Sequence, residues 1–342
     1  MVLRRRTTKT VMPLDGIDAV LADLDGVVYA GHKAIPHAVE SLTRVAESIR
    51  VGYITNNAAR TDAVVAEQLR GYGLETTPRD VITSPQAAVR LLRTKVADGA
   101  LVLVVGGEGL IDELTKAGYR VTRSAEDGPD AVVQGFAPDV DWAQLAEAAY
   151  ALQDGRDAND LPWIATNTDW TIPRDRGIAP GNGTLVSAVH TAVGRLAEVA
   201  GKPEVPIFEE ARLRFEAQHP LVIGDRLDTD ILGANRAGIS SLLVLTGVDQ
   251  AKHVLAAPEG SRPDFVVSDL RELFEPYPVT VLSRDNTQAH VGDAVVRVVD
   301  DTQIDVVRDG DSALNRLRAA SAVIWASGRQ IFGFNVPERL YS

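Results

Sequence analysis

The chain contains no cysteine. That single absence excludes disulfides, thiolate metal sites and cysteine nucleophiles, and it suits a reducing cytoplasm. Long apolar runs are also missing, so no segment is expected to span a bilayer. Arg4, Arg5 and Arg6 stand near the start without an apolar run behind them. They therefore do not read as a secretory signal, and they fit a solvated basic tail better than a nucleic-acid arm. Basic charge is in deficit overall, with a formal net charge of −12. Such a chain repels nucleic acid and anionic membranes, and neither is expected as a partner. It also repels a phosphate ester at long range. If phosphate is the substrate, the attraction must be local, from a metal ion, a lysine and backbone N–H groups. No internal repeat or low-complexity segment is present.

What is present is a chain of 342 residues, 45% of them hydrophobic, enough for two or three domains with proper cores. Short aliphatic runs at Ile17–Leu24 and Val51–Thr55 read as strands. Apolar residues Val39, Leu42, Val45, Ala46 and Ile49 recur at helical spacing. A second helix over Thr61–Gly71 has Thr61 as its N-cap. A similar run returns late, with strands at Pro220–Gly224 and Ser241–Thr246 around a helix over Asp230–Ala237. Strands alternating with helices imply a parallel, doubly wound α/β sheet with helices on both faces.

Between these runs lies a segment with its own pattern. Strands are expected at Leu101–Val105, Ala131–Val133 and Trp163–Thr166, and helices at Leu110–Ala117 and Trp142–Leu152. The organisation predicted is a core formed by 14–79 and 185–270, with an inserted α/β cap over 80–184. An insertion of this kind is a natural cover for a substrate. Residues 276–342 read as a small α/β appendage, with strands at Val279–Leu282, Ala294–Val299 and Gln303–Val307 and a helix over Ser312–Trp325. No catalytic motif stands out there.

Asp23 and Asp25 lie two apart at the end of the first strand. In an extended chain both carboxylates then point to one side, into the crevice where open parallel sheets bind ligands. Gly26 lets the chain turn beyond them. Two close carboxylates repel, so they need a shared proton or a cation, and magnesium prefers oxygen ligands. A lone D-x-D is more often a strand-ending turn with two solvated aspartates. Three further segments bear on the choice. Thr55-Asn56-Asn57 ends the second strand with a hydroxyl and backbone N–H groups suited to a phosphate oxygen. Gly201-Lys202-Pro203 offers a lysine between two chain-punctuating residues. Gly224-Asp225-Arg226-Leu227-Asp228-Thr229-Asp230 follows an aliphatic strand and clusters three aspartates. Asp230 can cap the following helix, which leaves the metal to Asp225.

Taken together and in this order, Asp23-x-Asp25-Gly26-Val27, Thr55-Asn56-Asn57, Lys202 and Gly224-Asp225-x-x-x-Thr229-Asp230 resemble the four motifs of the haloacid dehalogenase superfamily. The long insert resembles the large cap of its NagD-like branch, which includes phosphoglycolate, glycerol phosphate and pyridoxal phosphate phosphatases. The resemblance covers about residues 14–270 and leaves 276–342 outside.

It implies a Rossmann-like core and a magnesium-dependent phosphatase acting on a small phosphorylated metabolite. By resemblance, Asp23 is the nucleophile that forms an aspartyl-phosphate, and Asp25 the general acid and base. Thr55, Asn56, Asn57 and Lys202 bind the phosphoryl group, with Thr55 and Lys202 also catalytic. Asp23, Asp25 (through its backbone carbonyl) and Asp225 hold magnesium, and Asp228 and Asp230 stand behind them. The presence of Asp25 goes with phosphatases and phosphomutases rather than dehalogenases. The large cap of this branch also implies a homodimer formed through it.

Substrate choice belongs to the cap. Where pyridoxal phosphate phosphatases carry a histidine before a proline, this chain has Ile172 before Pro173. That points toward glycerol 3-phosphate, with phosphoglycolate next, and away from pyridoxal phosphate; sugar and nucleoside phosphates remain alternatives. Arg174 and Arg176 could meet an anionic substrate, though surface arginines are commonplace. Val105-Gly106-Gly107-Glu108-Gly109 lacks a complete G-x-G-x-x-G and reads as a tight turn within the cap. Trp142, Trp163 and Trp170 read as cap core or cap interface. A phospho-aspartate receiver or a binding protein without turnover is the alternative of another class.

Overall fold

The computed structural model describes residues 11–153, 161–174 and 176–341. Arg4–Arg6 fall outside them. The core is a six-stranded sheet whose strands run, in spatial order, Phe265–Val267, Ser240–Val244, Pro220–Gly224, Ala19–Ala22, Arg50–Thr55 and Val81–Thr83. Every neighbouring pair is parallel, with Ala22 opposite both Ile223 and Tyr53. These strands are short and aliphatic because both faces are covered: Leu21 and Val222 pack in one cluster, Val20 and Leu221 in the cluster on the other side. The chain leaves Ala19–Ala22 toward Arg50–Thr55 and returns on the opposite side as Pro220–Gly224. The crevice lies where the order reverses, at the carboxyl ends of the strands.

A second sheet of five parallel strands is inserted, in the order Glu198–Val199, Trp163–Ala165, Ala131–Gln134, Leu101–Val105, Arg120–Thr122. Its extent differs from the expected 80–184. Val81–Thr83 pairs with Arg50–Thr55 in the core sheet, so the first part of that range is core. Glu198–Val199 pairs with Trp163–Ala165, and Val186 and Val189 of the helix Asn182–Val193 pack with Trp163 in the cap cluster. The return to the core therefore falls near 200 rather than 185. The reason is physical: a two-residue strand and an amphipathic helix look alike whichever sheet they join.

Smaller differences follow the same logic. Thr61 is the N-cap expected, accepting from the Val64 N–H at 3.3 Å. The helix foreseen over Asp230–Ala237 is instead a π-helical turn, Leu227–Ile231, followed by a short α-helix, Leu232–Arg236. Asp230 thus lies inside the turn and its carboxylate accepts from the Arg226 N–H at 3.2 Å, rather than capping from outside.

Residues beyond 276 form a four-stranded antiparallel sheet, Thr280–Leu282, Gln288–Val291, Ala294–Val299 and Gln303–Arg308, backed by the helix Ala313–Ala326. The strand Gln288–Val291 was not foreseen. Leu317 and Val323 of that helix share a cluster with Val254 and Val266 of the core. Arg318, 8% exposed, bonds the Val266 carbonyl at 3.0 Å and Glu272 at 2.9 Å. The appendage is therefore packed onto the core rather than tethered to it. Among the described residues no helix is long and apolar enough to cross a membrane.

Leu21 is fully buried in the central strand. Leu21→Ala is expected to destabilise the chain by about 2–5 kcal/mol, measured as a lower midpoint in urea unfolding.

Candidate active site

Four segments meet at the carboxyl ends of the central strands. Asp23 follows Ala19–Ala22 directly, and its N–H donates to the Ile223 carbonyl at 2.8 Å, which ties it to the neighbouring strand. Beyond it Gly26 turns the chain at φ +83°. Gly26 and Gly247 also leave room for Asp225, since a Cβ at either position would sit 2.3 Å and 2.0 Å from Asp225 Oδ2. Only glycine permits that approach.

Lys202 arrives after the cap, 4% exposed, and its ammonium lies between two carboxylates. Nζ donates to Asp23 Oδ1 and to Asp230 Oδ1, both at 2.6 Å, and to the Ile54 carbonyl at 3.4 Å. These charges raise the lysine well above its ordinary pKa despite burial, which acts the other way. Asp225, 1% exposed, accepts from the Val248 N–H through Oδ2 at 2.7 Å. Its Oδ1 is buried without a partner.

Asp23, Asp225 and Asp230 each bring a carboxylate oxygen within 4.8 Å of the others. Burial pushes the Asp23 carboxyl well above the usual range; Lys202 pulls it down, while Asp230 and Asp225 push it further up. Asp225 is pushed up to about 7, by burial first and by the Asp230 charge second. Three carboxylates share one ammonium, so the group lacks positive charge. A divalent cation fits this donor set of hard oxygens. The open Oδ1 of Asp225 is the natural ligand, whereas Asp230 has one oxygen on Lys202 and the other on the Arg226 N–H. A second acidic group, Asp62, Asp112 and Glu113, bridges core and cap but already encloses Lys116, which donates to all three at 2.6–3.3 Å.

Thr55 is buried at 4% exposure, and its hydroxyl accepts from the Asn57 N–H at 3.1 Å. The Asn57 side-chain oxygen accepts from the Ala59 and Arg60 N–H groups and shapes the loop. Asp25 is exposed at the mouth. Desolvation by the surrounding walls raises its carboxyl, and Arg60, Lys202 and Tyr29 pull it back. Arg60 also donates to the Tyr29 hydroxyl at 3.3 Å.

Sequence reasoning brought Asp23, Asp25, Thr55, Asn56, Asn57, Lys202, Asp225 and Asp230 to one place, and the structure gathers them there. Asp228 is the exception. Its side chain is 67% exposed and paired with Arg226 at 2.8 Å, outside the carboxylate group. Within a helical turn Asp228 and Asp230 point to different sides, which a count of aspartates does not show. Reasoning from sequence also missed Tyr29, Arg60, Ser84, Asn167 and Asp169. Asp169 carries a carboxyl raised by burial and bonds Asn56 across 113 residues of chain, a distance no local motif spans. Of the tryptophans, Trp163 is cap core at 2% exposure, whereas Trp142 and Trp170 are exposed at 77% and 65%. Arg174 is exposed and lies over the Phe136 ring at 5.5 Å. The Gly106–Gly109 turn does open a cap helix, Glu108–Lys116.

A family model described as haloacid dehalogenase-like hydrolase matches residues 20–120, and a second model of similar hydrolases matches 199–273. A D-glycerol 3-phosphate phosphatase of Mycobacterium tuberculosis is 42% identical over 309 residues, covering 90% of this chain and 86% of its own. A glycerol-3-phosphate phosphatase of Gallus gallus is 36% identical over 291 residues, covering 76% and 92%. Among solved structures, glycerol phosphate phosphatase from Mycobacterium tuberculosis in complex with magnesium superposes with a TM-score of 0.84 at 37% identity, covering 96% of this chain and 95% of that one.

The Asp225 shift has a definite sign. Its carboxyl, pushed up to about 7, lies above the ordinary aspartate value of 3.8, so the folded state holds the proton more tightly. This contribution is fully present below about pH 4 and is lost as pH rises through about 7. In EDTA the wild type is expected to lose melting temperature relative to Asp225→Asn across that window, and magnesium to reverse the loss in the wild type alone. Parallel pH profiles for the two proteins in EDTA refute the raised carboxyl, and equal stabilisation of the two by magnesium refutes the ligand role.

Proposed function

The chain belongs to the haloacid dehalogenase-like hydrolases, and from that premise we propose that it is a magnesium-dependent phosphatase of small phosphate monoesters, with glycerol 3-phosphate the best substrate. The observation that carries the chemistry is Asp23, held at 2.6 Å by the buried Lys202 ammonium beside the unpartnered oxygen of Asp225. The choice of ester is supported by the Mycobacterium tuberculosis and Gallus gallus relatives named for glycerol 3-phosphate.

In this reading an Asp23 carboxylate oxygen attacks phosphorus as the ester P–O bond breaks, giving an aspartyl-phosphate. Asp25, whose raised carboxyl suits a proton carrier, protonates the leaving alkoxide. It then takes a proton from the water that attacks phosphorus, releasing inorganic phosphate and restoring Asp23. The Thr55 hydroxyl and the Asn56 backbone N–H hold the transferring phosphoryl oxygens, with Asn57 shaping their loop. Lys202 offsets the charge shared by Asp23 and phosphate, and Asp230 anchors the ammonium. Magnesium, when held by Asp225, the Asp23 side chain and the Asp25 backbone carbonyl, supplies the neutralising charge that lets an anionic nucleophile meet an anionic ester. Phosphoglycolate ranks second, and Ile172 argues against pyridoxal phosphate. The relatives are phosphatases, and this chain is not a signalling-only protein.

The proposal also places the enzyme in the cytoplasm, on its cysteine-free composition. It further pairs two copies through the cap, where Trp142 and Tyr150 stand exposed on the helix Trp142–Gln153. Sedimentation should then show a dimer, and Trp142→Lys with Tyr150→Lys a monomer.

The activity test is phosphate release with magnesium. Glycerol 3-phosphate should exceed phosphoglycolate and pyridoxal phosphate in kcat/KM. Asp23→Asn should lower kcat by on the order of 10^4. Turnover that survives this change removes Asp23 as nucleophile.

A further inference from the structure

The side chain of Asn56 does not face the space in front of Asp23. It clasps the backbone of Lys202, 146 residues away. Its Oδ1 accepts from the Lys202 N–H at 2.8 Å, and its Nδ2 donates to the Lys202 carbonyl at 3.0 Å. The second Nδ2 proton goes to Asp169 Oδ1 at 3.0 Å. Lys202 N–H can only donate, and a carbonyl and a carboxylate only accept, so the orientation of the amide is forced. The Asn56 backbone carbonyl is held as well, by Ser84 Oγ at 2.7 Å and Asn167 Nδ2 at 2.8 Å. Asn167 is fixed in turn by Asn182 at 2.7 Å, and its Oδ1 accepts from the Asp169 N–H at 3.1 Å.

We infer that Asn56 is a positioning residue, its side-chain amide setting where Lys202 stands and linking that lysine through Asp169 to the cap segment that follows the strand Trp163–Ala165. The inference rests on the phosphatase reading of the site. A lysine ammonium rides on a flexible four-carbon stem, so fixing its charge requires holding both ends. Asp23, Asp230 and the Ile54 carbonyl hold the tip, and Asn56 holds the base. Asn56 also directly follows Thr55, so the phosphate-binding loop, the lysine and the segment Asn167–Asp169 cannot shift independently. Placement of a charged group to within a fraction of an ångström is what phosphoryl transfer depends on.

The test is a double-mutant cycle on the full chain with saturating magnesium and varied glycerol 3-phosphate, comparing wild type, Asn56→Ala, Lys202→Met and the double variant. Asn56→Ala should lower kcat by about 10- to 100-fold while moving KM far less. Added to Lys202→Met it should cost less than about twofold more, because the lysine it positions is gone. Losses that multiply in full would show a role independent of Lys202 and overturn the inference. If Asn56→Ala does not fold, Asp169→Ala removes one of the amide's three bonds and enters the same cycle: a smaller kcat loss that vanishes beside Lys202→Met supports the clasp, and one that persists sinks it. Exchange of the pair, N56D with D169N, restores a donor opposite an acceptor and should recover part of what N56D alone loses; no recovery counts against the link to the cap. Absence of phosphate release from the wild type sinks the reading of the site itself, whereas full release with multiplying losses sinks only the positioning role.

Discussion

The ammonium of Lys202 is the interaction around which the site is organised. Burying a charge is costly unless it is paired and hydrogen-bonded, and here it has two carboxylates at 2.6 Å and a carbonyl. The pairing gives Asp230 its place first: its carboxylate meets the ammonium at 2.6 Å and, with Asp23, raises the lysine's pKa. It then explains why a cation is needed, because Asp225 is brought to the same point with an oxygen left open. Burial first, and the neighbouring carboxylates with it, raise the carboxyls of Asp23 and Asp225, and the one lysine does not offset this. The overall charge of −12 sharpens the point, since attraction for phosphate must come from within the crevice.

The fold serves this cluster by bringing together strand ends that are remote in sequence. Asp23, Thr55 and Asp225 each follow or end a strand of one parallel sheet, and parallel pairing puts those ends on one edge. The inserted unit brings Thr166–Asp169, just past its strand Trp163–Ala165, and Gly201, at its return, beside the loop that carries Asn56. The cap is thereby bonded to the loop that follows Thr55. The appendage extends the core on the other side, sharing Val254 and Val266 with its own helix.

Much of this was legible in the residues. Aliphatic runs ending in Asp, Thr or Gly-Asp located the three strand ends, and patterning located five helices, but it missed Ser84–Leu92, Asn182–Val193, Val205–Phe215 and Ala251–Ala256. Legibility failed where local pattern is silent about destination. Glu198–Val199 is too short to announce its sheet, and the helix Asn182–Val193 could have packed on either unit. The aspartates after Gly224 illustrate a finer failure. Counting found three, but the π-helical turn sends Asp228 to solvent and Asp230 to the lysine.

By itself the sequence determined the class of fold and the strand ends, which follow from residue type and periodicity acting over a few residues. The nucleophile, acid, lysine and metal carboxylates were singled out by resemblance to four family motifs, and their roles are proposed on that ground. Only the tertiary structure decided that Asn56 clasps Lys202, that Asp169 reaches Asn56, and that Asp225 keeps one oxygen free. The two Asn56 contacts join positions more than a hundred residues apart, and they exist only once hydrophobic burial has brought the two sheets together.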